Sequence, residues 1–230
     1  MAYGNSFQKT SPIVFNLIII NALVFFAQLV SGGLNDAGSR VNDLFALHHY
    51  KSEEFRPYQL VTHMFMHGSV THILFNMFGL WMFGSIIERV WGPKRFLIFY
   101  LICGLGAGLA QMGSYAVEFW KIDHTVIDSQ LNTMYQQALR LNCTVGASGA
   151  IMGVLAAFGY LFPNTEMFIM FIPVPVKAKW AITGFIAIDV FSGIAGNPGD
   201  NVAHFAHVGG ALIGLLIVMY WNKTNKRTFY

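Results

Sequence analysis

Residues 61–90 read VTHMFMHGSVTHILFNMFGLWMFGSIIERV and join a polar beginning to an apolar remainder. The remainder is long enough to cross a bilayer, because a spanning helix needs about 20 mainly apolar residues. The polar beginning contains three histidines and an asparagine, namely His63, His67, His72 and Asn76. Polar groups inside a membrane span are costly, so each of these residues is a functional candidate. His72 and Asn76 are four residues apart and share one face of the predicted helix.

The composition of the whole chain favours the same environment. The 230 residues are 55% apolar and 11% charged, with a mean hydropathy of +0.51. Soluble domains carry about 25% charged residues, so these values predict an integral membrane protein whose first partner is the lipid bilayer. The net charge of +3 is small and dispersed, which argues against nucleic acid as a partner. The length fits a single domain over residues 1–230.

Six apolar segments predict an all-α bundle of six transmembrane helices. The predicted spans lie near residues 13–31, 69–90, 96–116, 148–163, 179–195 and 203–222. The fourth is short, so we expect its start to lie below the membrane surface. Pro173 and Pro175 interrupt the apolar segment that follows it, because proline cannot continue a regular helix. The first stretch lacks a small-residue cleavage site and is therefore predicted to be a retained span.

The distribution of Lys and Arg predicts how the bundle is oriented. If both termini are cytoplasmic, nine of the 14 Lys and Arg residues lie inside and five lie outside. The inner set comprises Lys9, Arg89, Lys94, Arg95, Lys177, Lys179, Lys223, Lys226 and Arg227. The positive-inside rule favours this orientation. The outer loops are then 32–62, 117–142 and 193–201, and we expect a bacterial inner membrane as the location.

The second outer loop carries the pattern of an amphipathic helix. Apolar residues recur at helical spacing, namely Ile127, Leu131, Met134, Tyr135, Ala138 and Leu141. Thr125 and Asp128 are spaced like a capping box, which marks a helix start. We therefore predict a helix that lies on the outer surface of the membrane.

Three sets of polar or small residues converge in this topology. One is the set around His72 and Asn76, one is Gly146-Ala147-Ser148-Gly149, and one contains His204 and His207. All three begin even-numbered spans that run from outside to inside, so we expect them to meet in a water-accessible cavity near the outer surface. Ser148 would be a nucleophile and neutral His207 its base. His72, Asn76 and the N–H groups that begin the fourth span would stabilise an oxyanion.

Simpler interpretations of the same residues stay open. Gly146, Gly149 and Gly153 are spaced like the small residues that let membrane helices pack closely. A histidine inside a membrane is equally often a structural hydrogen-bonding group. These interpretations predict the same helices but no chemistry.

Metal binding and transport are further alternatives. His63, His67 and His72 are potential ligands, but the segment lacks the glutamate of the zinc-protease motif. A transporter would carry carboxylates at mid-span and a repeat between its two halves, and the sequence has neither feature. Asp189, the acidic residue of the fifth span, is expected to cap a helix or line a cavity.

The ordered set of motifs resembles that of rhomboid intramembrane serine proteases. Its members are His63-x-x-x-His67-x-x-x-x-His72-x-x-x-Asn76, Glu88-Arg89, Gly92, Arg95-Phe96, Gly146-Ala147-Ser148-Gly149 and Ala206-His207-x-x-Gly210-x-x-x-Gly214. The match extends over roughly residues 55–220 and agrees in motif order and number of spans.

The resemblance implies a six-helix, rhomboid-like bundle that hydrolyses a peptide bond of a substrate with a transmembrane helix, without metal or cofactor. It implies a Ser148–His207 dyad with no third acidic member. The oxyanion would be held by His72, Asn76 and the Ser148 N–H. Gly210 would let the sixth helix approach the fourth.

The resemblance also assigns roles to two outer loops and exposes two departures from the family pattern. His63 and His67 would order the first outer loop, and Gly193–Asn201 would be a mobile cap. Tyr58-Gln59 stands where some members carry a Trp-Arg pair, and Met152 stands where some carry a tyrosine that packs on the histidine base. We expect these replacements to loosen the loop and His207 without changing the reaction. The alternative is a non-catalytic protein of the same fold that binds transmembrane segments.

Overall fold

The computed structural model describes residues 11–32, 39–123, 129–168, 174–196 and 202–224, which are mostly helical. The helices are α1 (Pro12–Val30), α2 (Arg40–Phe45), α3 (Gln59–Thr62), α4 (Val70–Gly79), α5 (Ser85–Trp91), α6 (Pro93–Asp123), α7 (Ser129–Leu141), α8 (Ser148–Leu161), α9 (Ala178–Ala195) and α10 (His204–Thr224). A 3₁₀ turn (His63–Phe65) follows α3, and a π-helical turn (Leu80–Gly84) joins α4 to α5. The short strands are β1 (Leu47–His48), β2 (Cys143–Thr144), β3 (Glu166–Met167) and β4 (Val176–Lys177).

All six predicted spans are helical, and five are long and apolar enough to cross a membrane. These five are α1, the continuous helix Val70–Trp91, α6, α9 and α10. The remaining span, α8, has 14 residues. Its length is about 21 Å at 1.5 Å per residue, against about 30 Å for a bilayer core. A crossing by α8 therefore does not follow from its length.

Two of the segments that connect the predicted spans form different structures. The helix expected in the second outer loop is confirmed as α7, although α6 also extends to Asp123, beyond its predicted end at residue 116. The segment between α8 and α9 forms an antiparallel pair, in which Glu166 faces Lys177 and Met167 faces Val176. Several positions used in the predictions lie outside the described residues, namely Lys9, Thr125, Ile127, Asp128, Pro173, residues 197–201, Lys226 and Arg227.

Helix α8 forms the centre of the bundle. Each of its residues is buried or half-buried, and most are small or apolar on every side of the helix, as expected for a helix surrounded by others. The outer helices instead expose large apolar side chains, among them Phe26, Leu74, Phe191 and Leu216. Exposed apolar surface on this scale fits lipid rather than water. The protein is therefore an integral membrane protein.

Helices α8 and α10 contact each other backbone to backbone. A Cβ placed on Gly210 would lie 1.9 Å from the Gly149 carbonyl oxygen, and one on Gly214 would lie 2.6 Å from the Gly153 Cα. Only residues without a side chain allow this approach. The packing interpretation is thus confirmed for Gly149 and Gly153, and the predicted role of Gly210 is confirmed as well.

The start of α1 is fixed by a buried carboxylate from α5. Glu88 accepts the backbone N–H of Ile13 at 2.9 Å and that of Val14 at 2.8 Å. The first N–H groups of a helix have no partner within the helix, so this contact satisfies two of them. It also holds α1 against the helix that continues from His72 and Asn76.

Candidate active site

Ser148 and His207 form a hydrogen-bonded pair. Ser148 is the first residue of α8, and His207 lies one turn into α10. The distance between Ser148 Oγ and His207 Nε2 is 2.8 Å. The glycine contact between α8 and α10 brings the two side chains together, because a wider separation of the helices would break this bond. A serine hydroxyl in this geometry donates to an unprotonated imidazole nitrogen.

Gly146 separates Ser148 from His72. Its φ of +132° is unfavourable for residues with a side chain. A Cβ at this position would also lie 2.8 Å from Cε1 and Nε2 of His72 and 3.4 Å from Ser148 Oγ. The packing interpretation is therefore insufficient for Gly146. This glycine leaves room for the His72 ring beside the serine.

The proton on His72 can be assigned from its neighbours. The Gly68 N–H donates to His72 Nδ1 at 3.4 Å. A neutral imidazole that accepts at Nδ1 carries its proton at Nε2. Asn76 lies one turn further along α4 and is buried, and its Nδ2 has no hydrogen-bond partner among the described residues. His72 and Asn76 are four residues apart in α4, so their N–H groups lie on one face of that helix.

These groups line one polar cavity of about 1090 Å³. Its lining includes His72, Asn76, Ser148 and His207, together with Ser114 of α6 and Ser192 of α9. The three sets of residues that span counting brought to one level therefore do meet. The described residues contain no cluster of three His, Cys, Asp or Glu side chains able to hold a metal ion.

The loop that precedes Ser148 is attached to the first outer loop. Strands β1 and β2 pair antiparallel, with Leu47 opposite Thr144. The Thr144 hydroxyl lies 2.6 Å from the Tyr115 hydroxyl of α6, and the Gly146 N–H donates to the His63 carbonyl at 2.9 Å. These bonds connect residues distant in sequence, and no local pattern indicated them.

The His63 side chain contacts the first outer loop, as the resemblance implied, whereas neither ring nitrogen of His67 has a hydrogen-bond partner among the described residues. His63 Nδ1 lies 2.8 Å from the Gln59 carbonyl oxygen. The His67 backbone N–H donates to Gln28 Oε1 at 3.0 Å, and Gln28 Nε2 donates to the His67 carbonyl at 3.2 Å. Burial lowers the pKa of His63 to about 4 and that of His67 to about 3. Both rings are therefore neutral at physiological pH.

The first departure from the family pattern does not leave the outer loop unanchored. Gln59 is fully buried, and its side-chain Nε2 donates to the carbonyls of Asp43 and Glu54, both at 2.9 Å. Its Oε1 accepts the backbone N–H of His48 at 3.4 Å and that of Arg56 at 3.2 Å. One amide thus satisfies four backbone groups of the loop, and the loosening expected at Tyr58-Gln59 stays a prediction.

The second departure changes what contacts His207. Met152 is buried in a small apolar cluster with Ala156 and Ala211. A carboxylate contacts the imidazole instead, since Asp189 Oδ1 of α9 lies 3.1 Å from His207 Nδ1. The same oxygen lies 2.7 Å from His204 Nδ1. The resemblance implied a dyad with no third acidic member, and this contact places a carboxylate beside the imidazole. Sequence reasoning noted Asp189 as a cavity-lining residue but had no means of pairing it with His207.

Together these features define a polytopic membrane protein with a serine–histidine pair in a polar cavity. The sequence model of the Rhomboid domain matches residues 54–223. This chain belongs to the rhomboid family.

Individual relatives agree with this assignment. Rhomboid protease AarA of Providencia stuartii is 31% identical over 87% of this chain and 69% of its own. RHOMBOID-like protein 12, mitochondrial, of Arabidopsis thaliana is 29% identical over 94% of this chain and 60% of its own. Rhomboid protease GluP of Bacillus subtilis is 28% identical over 90% of this chain and 34% of its own. The chain thus spans less than two thirds of the length of some relatives.

Proposed function

We propose that this protein is an intramembrane serine endopeptidase. It would cleave a peptide bond in or next to the transmembrane segment of a membrane-anchored protein. The observation that carries the proposal is the 2.8 Å contact between Ser148 Oγ and His207 Nε2 inside a polar cavity of an apolar bundle. Two relatives, AarA and GluP, are named as rhomboid proteases. A protein that only bound transmembrane helices would have no need of this pair.

The proposed reaction follows from the positions of the donors and acceptors. His207 Nε2 takes the Ser148 proton as Oγ attacks the carbonyl carbon, and later gives that proton to the leaving amine. His72 Nε2–H, Asn76 Nδ2–H and the Ser148 N–H stabilise the oxyanion. Ala147 caps α8 without a side-chain acceptor, which leaves the first N–H groups of the helix available. Water then hydrolyses the acyl-enzyme by the same proton transfers in reverse.

We further propose six membrane crossings with both termini in the cytoplasm. The excess of Lys and Arg on that side supports this orientation. The cavity then opens to the extracytoplasmic side, in a bacterial case the outer side of the inner membrane. The short α8 supports a site below the surface, since a helix of about 21 Å leaves part of the bilayer thickness to the cavity.

One labelling experiment tests the reaction and the orientation together. A charged fluorophosphonate that cannot cross membranes is applied to sealed, right-side-out vesicles that contain the protein. We expect labelling at Ser148 without permeabilisation, no labelling of Ser148→Ala, and loss of cleavage of a membrane-anchored substrate in that variant. Ser114→Ala is the matched control, because Ser114 lines the same cavity, and it should label normally.

Each alternative gives a different result. Labelling of Ser148 only after permeabilisation would place the opening on the cytoplasmic side and leave the chemistry intact. Substrate cleavage by Ser148→Ala at the wild-type rate would exclude the proposed nucleophile. A folded wild-type protein that neither labels nor cleaves would indicate the non-catalytic alternative.

A further inference from the structure

Asp189 is an ionisable residue of α9, a helix that exposes several large apolar side chains. Its neighbours Ile188, Val190 and Phe191 are exposed apolar residues, whereas only 13% of the Asp189 side chain is exposed. A charge inside a membrane helix is expected to face the protein interior and to have a specific partner. The carboxylate has two partners here, His207 and His204, both on α10.

The contact with His207 fixes the form of its imidazole. Asp189 Oδ1 and Oδ2 lie 3.1 Å and 3.2 Å from His207 Nδ1. A carboxylate at neutral pH only accepts hydrogen bonds, so the neutral ring must carry its proton at Nδ1. Nε2 is then unprotonated and can accept from the Ser148 hydroxyl, 2.8 Å away. This is the tautomer that a general base requires.

Met152 and His204 are the two residues to compare around the His207–Asp189 contact. The residue one helical turn after Ser148 is Met152, which is only 8% exposed and packs against Ala211 rather than offering an aromatic face to His207. His204 supports the carboxylate from its other side, because its Nδ1 lies 2.7 Å from Oδ1. Asp189 is thus held by one histidine while it contacts the other.

From this geometry we infer that Asp189 is a positioning residue for His207, so that the site works as a Ser148–His207–Asp189 triad. The inference rests on the proposed function. When Ser148 Oγ bonds to the substrate carbonyl carbon, its proton moves to His207 Nε2 and the ring becomes an imidazolium. Asp189 stays ionised and stabilises that cation, and the proton then passes from Nε2 to the leaving amine.

The decisive substitution is Asp189→Asn, which keeps the volume and removes the charge. The new amide can donate to Nδ1 and so favours the tautomer with a proton on Nε2, which cannot accept from Ser148. General-base catalysis contributes about 10²- to 10⁴-fold, so we expect kcat and the rate of fluorophosphonate labelling to fall together by about 10²-fold or more. KM should change by less than about two-fold, because binding is unaffected. Thr183→Ala, at an exposed position of the same helix that does not line the cavity, should retain both rates.

The outcomes separate this inference from the function on which it rests. If Asp189→Asn labels and cleaves within about two-fold of wild type while Ser148→Ala is inactive, the triad is excluded and the protease stands. If Ser148→Ala is active, the proposed function fails first.

A second measurement uses the unmodified protein and does not depend on the folding of a variant. Nitrogen-15 NMR of histidine-labelled protein, with the His207 signals assigned by their loss in His207→Gln, reports the protonated nitrogen. A proton on Nδ1 supports the triad, and a proton on Nε2 overturns it.

Discussion

The two sides of the cavity are held by different kinds of contact. On one side α8 and α10 touch through bare backbone, with Gly149 and Gly153 against Gly210 and Gly214. On the other side the first outer loop is held by side-chain hydrogen bonds, four of which are made by Gln59. The first kind of contact places the serine and histidine, and the second places the segment that leads to His72 and Asn76.

Because the contacts differ in kind, the two sides of the cavity should respond differently to substitution. A contact between two helix backbones leaves no space for an added methyl group, which can be accommodated only if a whole helix moves. A set of hydrogen bonds can fail in part, since water replaces some of the lost partners near the surface. The side formed by α8 and α10, the core side, should therefore be sensitive to added side-chain volume. The side formed by the first outer loop, the loop side, should be sensitive to the loss of hydrogen-bonding groups.

The largest effect is expected at Gly210. Its Cβ in Gly210→Ala would lie 1.9 Å from a backbone oxygen, so α10 must shift and carry His207 away from Ser148. We expect a loss of at least about 3 kcal/mol of stability, together with loss of fluorophosphonate labelling. Gly113→Ala on α6 is the control, because a Cβ there meets no described atom within 4 Å. It should be neutral or stabilise by about 0.5–1 kcal/mol. Equal thermal stability of the two variants would contradict the close contact.

Asn76 belongs to the loop side, but its Nδ2 has no structural hydrogen bond within the described residues. Its removal should affect chemistry and not stability. Loss of one oxyanion donor costs about 10²- to 10³-fold in turnover, and we expect Asn76→Ala to lie near 10²-fold because other donors remain. KM should stay constant. Asn142→Ala, which alters another cavity asparagine, should keep its kcat. A change in KM alone would indicate substrate docking instead.

The parts of the site that sequence could predict are those set by periodicity. Apolar length gave the helices, and counting them placed Ser148, His207, His72 and Asn76 at one level. Small-residue spacing indicated the close packing of Gly149 and Gly153, and the resemblance to the rhomboid family indicated that of Gly210. The extent of each helix can be predicted from about 20 consecutive residues, because a helix is defined by local hydrogen bonds.

The parts that escaped prediction depend on contacts between distant segments. The pairing of β1 with β2 involves two residues in each strand, too few for an alternating pattern. Gln59 satisfies groups from Asp43 to Arg56, and nothing in its neighbours in sequence reveals that. Asp189 could be recognised as an acidic residue in a span. Its partner depends on the rotation of α9 about its axis, which counting spans does not give.

Gln59 gives the smallest and most graded effect. Gln59→Leu keeps most of the volume but leaves four backbone groups of the loop without their side-chain partner. A buried group without a partner costs about 1–3 kcal/mol, and partial access of water to the loop should limit the total to about 2–4 kcal/mol. We expect earlier heat inactivation and faster proteolysis between residues 39 and 62, with a kcat near wild type at low temperature, because Ser148 and His207 are held from the other side. Tyr58→Leu is the matched control, since Tyr58 is the adjacent residue and is exposed. Equal inactivation temperatures for the two variants would show that the loop does not depend on the Gln59 amide. A loss of kcat as large as that expected for Asn76→Ala would show that the loop and the oxyanion donors are not independent.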